Sequence, residues 1–517
     1  MEVVGSRAHQ DLALEAARKS IVLLKNEGNA LPLRKSLTSV AVIGPAADDV
    51  LSLLGNYYGT PESPVTPLQG IRELLGASAT VAYAPGCDVA DGVPHLEAVG
   101  NAHLFTGTGT GRRTGLKAEY FYGRTPAGTP VAVNETASVD FNWCAKHPIP
   151  RGDSTHFTVR WTGVLVPPAT GTYQLGTFGF RAFRILLDDS VMVSSDWGSE
   201  MPVTAPVALV GGREYRFELV GTVRFSGSLV KLLWSIPGRN LLEEALAVAK
   251  SADHVILVLG LSPRVEGEEM PVEVKGFKGG DRMRIELPET QERLLKTIAG
   301  LNRPMTLVLL NGSALAIPWA HEHVPAILEA WYPGQAGGRA VAEVLFGDIN
   351  PSGRLPVMFY RRTEDVPPFA DYRMEGRTYR FFKGRPLYPF GHGLSYTSFA
   401  YENLRTVGKA DGKDTRAAVR LALEVKNVGK RMGDEVVQVY VRAPNSKVPR
   451  PVLELRDFRR LTLNAGESTG VEFSLPRRAF EYYDAGSHSW ALEPGGYEVL
   501  VGASSGDIRG KVEIELR

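Results

Sequence analysis

The stretch His254-Val255-Ile256-Leu257-Val258-Leu259 decides the fold class of this chain. A continuous apolar run of this length is typical of a strand that is buried on both faces of a parallel sheet. Apolar residues at helical spacing precede it at 241–252 and follow it at 289–301, so the run lies between two predicted helices. This alternation of helix and buried strand predicts an α/β domain.

The same alternation occurs on both sides of this centre. The other predicted elements are a helix at 9–25, a strand at 40–44, a helix at 68–75, strands at 81–83, 305–310 and 326–331, and a helix at 338–346. From residue 116 to residue 234 the pattern changes to short β-type runs that are separated by turns rich in Gly and Pro. We therefore expect one α/β sandwich domain, formed by residues 1–107 and 239–398, and a β-sandwich inserted into it at 108–238.

After residue 398 the pattern changes again. Apolar and polar residues alternate in short strands, as in Val436-Val437-Gln438-Val439-Tyr440-Val441. A segment of this size fits an immunoglobulin-like β-sandwich, which we predict at 399–517. A chain of 517 residues is too long for one ordinary core, in agreement with a multidomain α/β plus all-β protein.

Charge and composition exclude several classes of partner. The chain has 58 basic and 57 acidic residues, so neither nucleic acid nor an anionic membrane surface is expected to bind it. No run approaches the roughly 20 apolar residues of a membrane span, and the charged residues 1–30 lack the apolar stretch of a signal peptide. Cys87 and Cys144 are too few for a disulfide framework or a thiolate metal site, and no metal or cofactor is expected.

Four segments spread over the chain match signature stretches of one enzyme family. They are AARKSIVLLKN at 16–26, YPGQ at 332–335, NPSGRLP at 350–356 and YPFGHGLSY at 388–396. In this order they make the chain resemble the family 3 glycoside hydrolases of the β-glucosidase and β-xylosidase type. Any one of the four alone is a weak signal, and the four together are specific.

The two all-β segments carry resemblances of their own. The predicted insert resembles a protective-antigen-type module through GLKAEYF at 115–121 and WTG at 161–163. The last domain resembles the fibronectin type III-like C-terminus of these enzymes through RPVLEL at 450–455 and EPGGY at 493–497.

The resemblance implies a retaining enzyme with two carboxylates on different domains. In the family a barrel domain comes first and supplies a nucleophilic Asp in a Ser-Asp-Trp context, while the α/β sandwich provides a Glu as the acid/base. This chain begins almost at the junction of those domains, so the barrel is expected on another chain or on a segment outside this sequence, and the chain alone is expected to be inactive. The implied substrates are β-linked oligosaccharides and aryl glycosides, a class that favours a secreted or periplasmic location. Ser195-Asp196-Trp197 lies inside the insert and is expected to be a structural turn.

The acid/base is expected on the long loop at 261–285. This loop leaves the carboxyl end of the strand at 254–259, the end where open α/β sheets bind ligands. It is far longer than the median loop of roughly 4–6 residues, which is typical of functional loops. Retaining glycosidases need an acid that protonates the leaving oxygen and a nucleophile about 5–5.5 Å from it.

The loop offers two main candidates for this acid. Relatives carry Gly-Glu-Gly-aromatic, and Gly267-Glu268 matches its first half, while Glu269-Met270 stands in place of the second. We therefore predict Glu268 as the acid/base, with Glu266 as the alternative and Glu269 as a minor third candidate. We expect Asp281 and Arg282 to anchor the loop as an ion pair.

Two other interpretations of the chain remain open at this stage. Four carboxylates in a short stretch can form a solvated acidic loop without a catalytic role. Two β-sandwiches on an α/β scaffold also suit a carbohydrate-binding protein that does not catalyse, or an inactive fragment. Asn311 and Tyr332 follow predicted strands and either line the cleft or pack between sheet and helices.

Overall fold

The computed structural model describes residues 3, 5–144, 146–152, 154–197, 201–225, 228–407 and 419–517. Its central layer is a six-stranded sheet. In chain order the strands are β1 (Val22–Asn26), β2 (Ser39–Ile43), β3 (Thr80–Ala84), β4 (His254–Gly260), β5 (Met305–Leu310) and β6 (Ala326–Glu329). The order across the sheet is β1-β6-β5-β4-β2-β3, and all neighbours are parallel except β1, which is antiparallel to β6.

Helices cover both faces of this sheet. They are α1 (Arg7–Ser20), α2 (Pro67–Leu75), α3 (Leu241–Ser251), α4 (Glu289–Ala299) and α5 (Gly337–Leu345), with short helices at Leu51–Leu54, Pro318–His323 and Thr378–Phe381. Apolar residues of α1, α2 and α5 join one core cluster, and those of α3 and α4 join another on the opposite face. All seven residues of β4 are buried, as expected of a strand between two helical layers. The predicted α/β sandwich is confirmed.

The helix predicted at 9–25 is wrong in its last five residues. Helix α1 ends at Ser20, and Val22–Asn26 forms the edge strand β1. Leu14 and Ala17 do face the core from α1, at helical spacing. Beyond Ser20 the run is continuously apolar, and periodicity cannot distinguish a short buried strand from a buried helix.

The connections of the sheet create a crevice between β2 and β4. After β2 the chain moves to β3 on one side, and after β3 it crosses to β4 on the other side of β2. The strand order therefore reverses between β2 and β4. Open α/β sheets bind ligands outside the carboxyl ends of their strands at such a switch point.

Between β3 and β4 the chain forms two antiparallel sheets around a shared core. The first contains Leu104–Thr106, Arg113–Thr114, Leu116–Tyr122, Ala132–Thr136, His156–Leu165, Ala182–Leu187, Ser190–Ser195 and Tyr215–Arg224. The second contains Glu97–Ala98, Asp140–Asn142, Gly171–Phe178, Val203–Leu209 and Leu229–Ser235. Trp161, Tyr173 and Trp234 are fully buried between them. Two of these strands, at 97–98 and 104–106, lie ahead of the boundary expected at residue 108.

The C-terminal part is all-β. It contains a three-stranded sheet, formed by Phe399–Thr406, Val419–Asn427 and Ser468–Leu475. A second sheet has four strands, Glu454–Leu463, Gly433–Arg442, Gly495–Ser504 and Asp507–Leu516. A small hairpin is formed by Tyr482–Asp484 and Ser489–Ala491. Their alternate residues share one core cluster. The predicted order of an α/β domain followed by an all-β domain is confirmed. Among the residues that the structure describes, no helix has the length and apolar character needed to cross a membrane.

Candidate active site

The predicted acid/base loop has internal structure. Glu273–Val274, Phe277–Lys278 and Asp281–Arg282 form a small three-stranded sheet inside it. The amide N–H of Gly267 donates to the carbonyl oxygen of Gly280 at 3.0 Å, which ties the start of the loop to its return. At Gly280 φ is +90°, and a Cβ there would lie 2.0 Å from the Gly267 oxygen, so only glycine fits. The loop therefore holds its carboxylates in a defined arrangement.

Glu266 is held from three sides. Its N–H donates to the Ser262 oxygen at 3.1 Å, and its carbonyl oxygen accepts from Asn56 Nδ2 at 2.7 Å. Its side chain accepts from the Tyr332 hydroxyl at 2.6 Å. Asn56 follows β2 and Tyr332 follows β6, so this carboxylate is fixed where the carboxyl ends of the strands meet.

Tyr332 is packed so that its hydroxyl stays protonated. Burial, and then the charge of Glu266, raise the pKa of Tyr332 well above its ordinary value. Its ring lies against Gly55 and Gly312, where a Cβ would come 2.7 Å and 2.8 Å from ring carbons. A donor that cannot ionise gives Glu266 a permanent partner.

Glu268 has a different environment. Its side chain is exposed, and its carboxylate accepts a hydrogen bond from the hydroxyl of Tyr57, which is itself 80% exposed. The next residue, Glu269, has φ of +48°, a left-handed conformation that favours glycine. The structure thus brings both predicted carboxylates to the switch point between β2 and β4, with Glu266 anchored and Glu268 directed toward solvent.

The predicted ion pair between Asp281 and Arg282 is wrong, because no contact of that kind links these two described residues. Adjacent residues of a strand point to opposite faces. Arg282 does anchor the loop, but through neutral oxygens: it donates to Ser313 Oγ at 2.7 Å and to the Ile285 carbonyl oxygen at 2.7 Å. Burial lowers the pKa of Arg282, and the charge of Glu266 opposes that effect.

A buried carboxyl group beneath this site escaped the sequence analysis. Glu329, the last residue of β6, is completely buried and accepts from the Trp331 amide and from Asn311 Nδ2, both at 3.0 Å. Burial raises the pKa of Glu329 to about 8. Trp331 has φ of +59°, and this turn leads directly into Tyr332. Asn311, which was expected to line the cleft or pack inside, packs inside and holds Glu329.

The other polar motifs stay outside this site. Ser195 ends one of the strands between β3 and β4, and its hydroxyl donates to the Trp197 carbonyl oxygen at 2.6 Å, while Trp197 is 81% exposed. Within the described ranges, no group of three His, Cys, Asp or Glu residues is placed to hold a metal ion.

Replacing Tyr332 with Phe is expected to loosen the loop. The change keeps the ring and removes only the hydrogen bond to Glu266, so the free energy of unfolding is expected to fall by about 1–2 kcal/mol. Denaturant unfolding measures that loss, and amide hydrogen exchange at Gly267 is expected to accelerate. Tyr83 is the matched control, because its hydroxyl has no hydrogen-bond partner among the described residues; equal losses in Tyr332→Phe and Tyr83→Phe would contradict the anchoring role.

The family model of the glycosyl hydrolase family 3 C-terminal domain matches residues 21–396, which include every residue of this site. The chain belongs to glycoside hydrolase family 3. A fibronectin type III-like domain model matches residues 435–505. The two resemblances seen in the sequence for these regions are confirmed.

Several family 3 proteins are similar along nearly the whole chain. A xylan 1,4-β-xylosidase of Xylanibacter ruminicola is 34% identical over 510 residues, covering 98% of this chain and 57% of that protein. β-Glucosidase B of Emericella nidulans is 30% identical over 575 residues, covering 100% of this chain and 64% of that protein. The crystal structure of a β-glucosidase from Kluyveromyces marxianus in complex with glucose is 26% identical with a TM-score of 0.73, covering 99% of this chain and 63% of that one.

The chain therefore spans about three fifths of the length of these relatives. Each relative continues, within the same polypeptide, beyond the region that it shares with this chain. The relatives thus give no support to a barrel on a separate chain.

Proposed function

We propose that this chain carries the acid/base of a retaining, exo-acting β-glycosidase that hydrolyses the O-glycosidic bonds of β-glucosides or β-xylosides. The observation that carries the proposal is the pair of carboxylates held at the switch point between β2 and β4, on a loop that the family model includes. The names of the relatives support this substrate class, β-glucosides and xylan-derived β-xylosides.

We assign the acid/base role to Glu268 and a positioning role to Glu266. A proton donor must reach the leaving oxygen of a substrate, and the exposed Glu268 is free to do so once Tyr57 gives way. Glu266 is already committed to Tyr332. The left-handed conformation of Glu269 supports the alignment, because this residue stands where relatives carry the second Gly of Gly-Glu-Gly-aromatic.

We propose that a barrel domain supplies the nucleophilic Asp. The retaining mechanism needs a second carboxylate about 5–5.5 Å from the acid, and the resemblance to family 3 implies that this carboxylate belongs to the barrel. In the first step the nucleophile attacks the anomeric carbon while Glu268 gives its proton to the leaving oxygen. In the second step Glu268 takes a proton from the water that releases the sugar.

An assay of residues 1–517 with and without a barrel tests this division of labour. The polypeptide alone is expected to show no turnover of aryl β-glucosides or β-xylosides, because one carboxylate cannot complete the double displacement. Fusion to the part of the Xylanibacter xylosidase that lies outside the shared region is expected to restore turnover, and the same fusion with Glu268→Gln is expected to stay inactive. Clear turnover by residues 1–517 alone would show that the nucleophile lies within them, with Asp196 as the first residue to test. A correctly folded fusion that stays inactive would favour the alternative of a carbohydrate-binding protein or an inactive fragment.

We further propose that the two sheets between β3 and β4 are a protective-antigen-like β-sandwich inserted at about 108–238, and that it narrows the aglycone side of the cleft. Its residues Phe178, Leu229 and Leu233 pack on Leu51, in the short helix just ahead of Asn56 and Tyr57. The remaining boundaries proposed are 1–107 and 239–398 for the α/β domain and 399–517 for the fibronectin type III-like domain.

The narrowed cleft is expected to favour short substrates. In the active enzyme, kcat/KM for cellobiose or an aryl glucoside is expected to exceed kcat/KM per chain end for a long β-glucan. Reducing-sugar assays on a series of oligosaccharides of increasing length measure this ratio. Equal values for disaccharide and polymer would rule out a narrowing role for the insert.

A further inference from the structure

A polar cavity of about 400 Å³ lies between the α/β domain and the insert. Residues that follow the carboxyl ends of β2 and β4, such as Asp48 and Arg264, form one side of it, and insert residues such as Phe178 and Lys231 form the other. Glu266, Glu268, Tyr57 and Tyr332 are not among its lining residues. The cavity is therefore distinct from the candidate active site, although Arg264 is close to Glu266 in sequence.

Arg264 contributes a cation without a carboxylate partner. Its Nη2 donates to the Pro94 carbonyl oxygen at 3.0 Å, and its side chain makes no other hydrogen bond or ion pair with the described residues. Burial lowers the pKa of Arg264, although Asp49 and Asp88 oppose this from a distance. A guanidinium has five N–H donors, so most of the donors of Arg264 remain available to a molecule in the cavity.

The cavity also offers unused acceptors. Asp48 accepts from Thr66 Oγ1 at 2.7 Å through one oxygen, and its second oxygen has no partner in the described part of the chain. The imidazole of His95 lines the cavity, and burial lowers its pKa to about 4, so at neutral pH the ring has one donor and one acceptor.

The remaining charged groups of the cavity have partners of their own. Asp49 accepts from the Leu51 amide at 3.1 Å and from the Ser52 hydroxyl at 2.7 Å. Arg239 binds Glu97 at 2.5 Å and Glu244 at 2.6 Å, and Lys231 lies 3.3 Å from Asp140. The lining has five carboxylates and three cationic side chains, a balance that disfavours an anionic ligand.

One wall of the cavity is apolar. Leu51, Phe178, Leu229 and Leu233 belong to a single hydrophobic cluster and all line the cavity. A ligand that matches this surface is not an anion, has one apolar face, and carries several groups that both donate and accept. A pyranose ring has these properties, and cavities of about 300–1,000 Å³ at domain interfaces are typical of small-molecule sites.

We propose that this cavity is a second, non-catalytic binding site for a neutral monosaccharide. Arg264 and Asp48 bind its hydroxyl groups, and Phe178 lies against its apolar face. The proposal does not depend on the role of Glu268, since a sugar can bind here whether or not the loop is catalytic.

Calorimetric titration of residues 1–517 with D-glucose and with D-xylose tests the proposal, and sodium acetate serves as the anionic probe. At least one sugar is expected to bind in the millimolar range. Arg264→Leu is expected to weaken binding about tenfold or more, because it removes charge-assisted hydrogen bonds. Leu96→Trp, which fills the cavity from a half-buried position and leaves Arg264 in place, is expected to abolish binding.

Two control variants distinguish binding in this cavity from binding at the acid/base loop. Arg284→Leu changes an exposed arginine of the same loop that does not line the cavity, and Glu268→Gln changes the candidate active site; both variants are expected to bind the sugar as the unaltered chain does. Thermal unfolding confirms that each variant is folded. Unchanged affinity in folded Arg264→Leu and Leu96→Trp, loss of binding in Glu268→Gln, binding of acetate alone, or no binding at all would each overturn the proposal.

Discussion

In a fusion that supplies the proposed barrel, Glu268→Ala is expected to slow the hydrolysis of alkyl glycosides and disaccharides by about 10²–10⁴-fold, the usual contribution of a general acid. The hydrolysis of dinitrophenyl glycosides is expected to slow far less, because their leaving groups depart without a proton. The quantity to compare is kcat/KM, which reports formation of the glycosyl-enzyme. If Glu268 has only a structural role, Glu268→Ala will lower kcat/KM for both classes of substrate by the same factor.

The second half of the reaction provides an independent check. Without Glu268 no base activates water, so the glycosyl-enzyme accumulates, and azide is expected to release it as a β-glycosyl azide. Glu269→Ala is the matched control, since it removes an exposed carboxylate from the neighbouring position and is expected to keep the activity. Leaving-group dependence and azide rescue in Glu266→Ala instead of Glu268→Ala would transfer the role to Glu266. If neither variant shows leaving-group dependence and azide rescue, the loop is a solvated acidic loop without a catalytic role.

The strands of the α/β domain were predictable because burial on both faces leaves a clear signal. The run at 254–259 and the structural strand His254–Gly260 differ by one residue, and Met305–Leu310 was predicted with its observed bounds. The edge strand Val22–Asn26 was not predictable in the same way. Its pairing with Ala326–Glu329 joins residues about three hundred positions apart, and the apolar run that it shares with the preceding helix has no period.

The candidate site was predictable only in part. The position of the loop after β4 and the family resemblance indicated Glu266 and Glu268, but their partners Asn56 and Tyr57 lie more than two hundred residues earlier. The one available signal was that Asn56 and Tyr57 follow the carboxyl end of β2, which becomes the neighbour of β4 only once the sheet order is known. The sequence shows that Tyr332 follows a strand, but it does not indicate the hydrogen bond from Tyr332 to Glu266.

Glu329 links the core to this loop. It accepts from the Trp331 amide and so supports the left-handed turn that delivers Tyr332 to Glu266. It is neutral while its pKa stays near 8, and a neutral carboxyl is the form that a completely buried position tolerates. Both of its oxygens act as acceptors, Oε1 from the Trp331 amide and Oε2 from Asn311 Nδ2.

The contribution of Glu329 to the stability of the chain is therefore expected to fall as the pH rises from about 4.5 to about 8, the ordinary and the folded pKa of Glu329. Between these values the native state keeps a proton that the unfolded chain has released, so raising the pH favours unfolding; below 4.5 both states are protonated and above 8 both are ionised. The total effect is on the order of a few kcal/mol, since each unit of pKa difference corresponds to about 1.4 kcal/mol. Glu329→Gln has no proton to lose, but its amide keeps only one of the two acceptor oxygens, so the variant is expected to be less stable than the unaltered chain at pH about 4.5 and to lose less stability as the pH rises. Denaturant unfolding between the two pH values measures the difference in slope, and the exposed Glu322→Gln is expected to keep the slope of the unaltered chain. Identical profiles for Glu329→Gln and the unaltered chain would mean that Glu329 ionises at its ordinary pKa despite its burial.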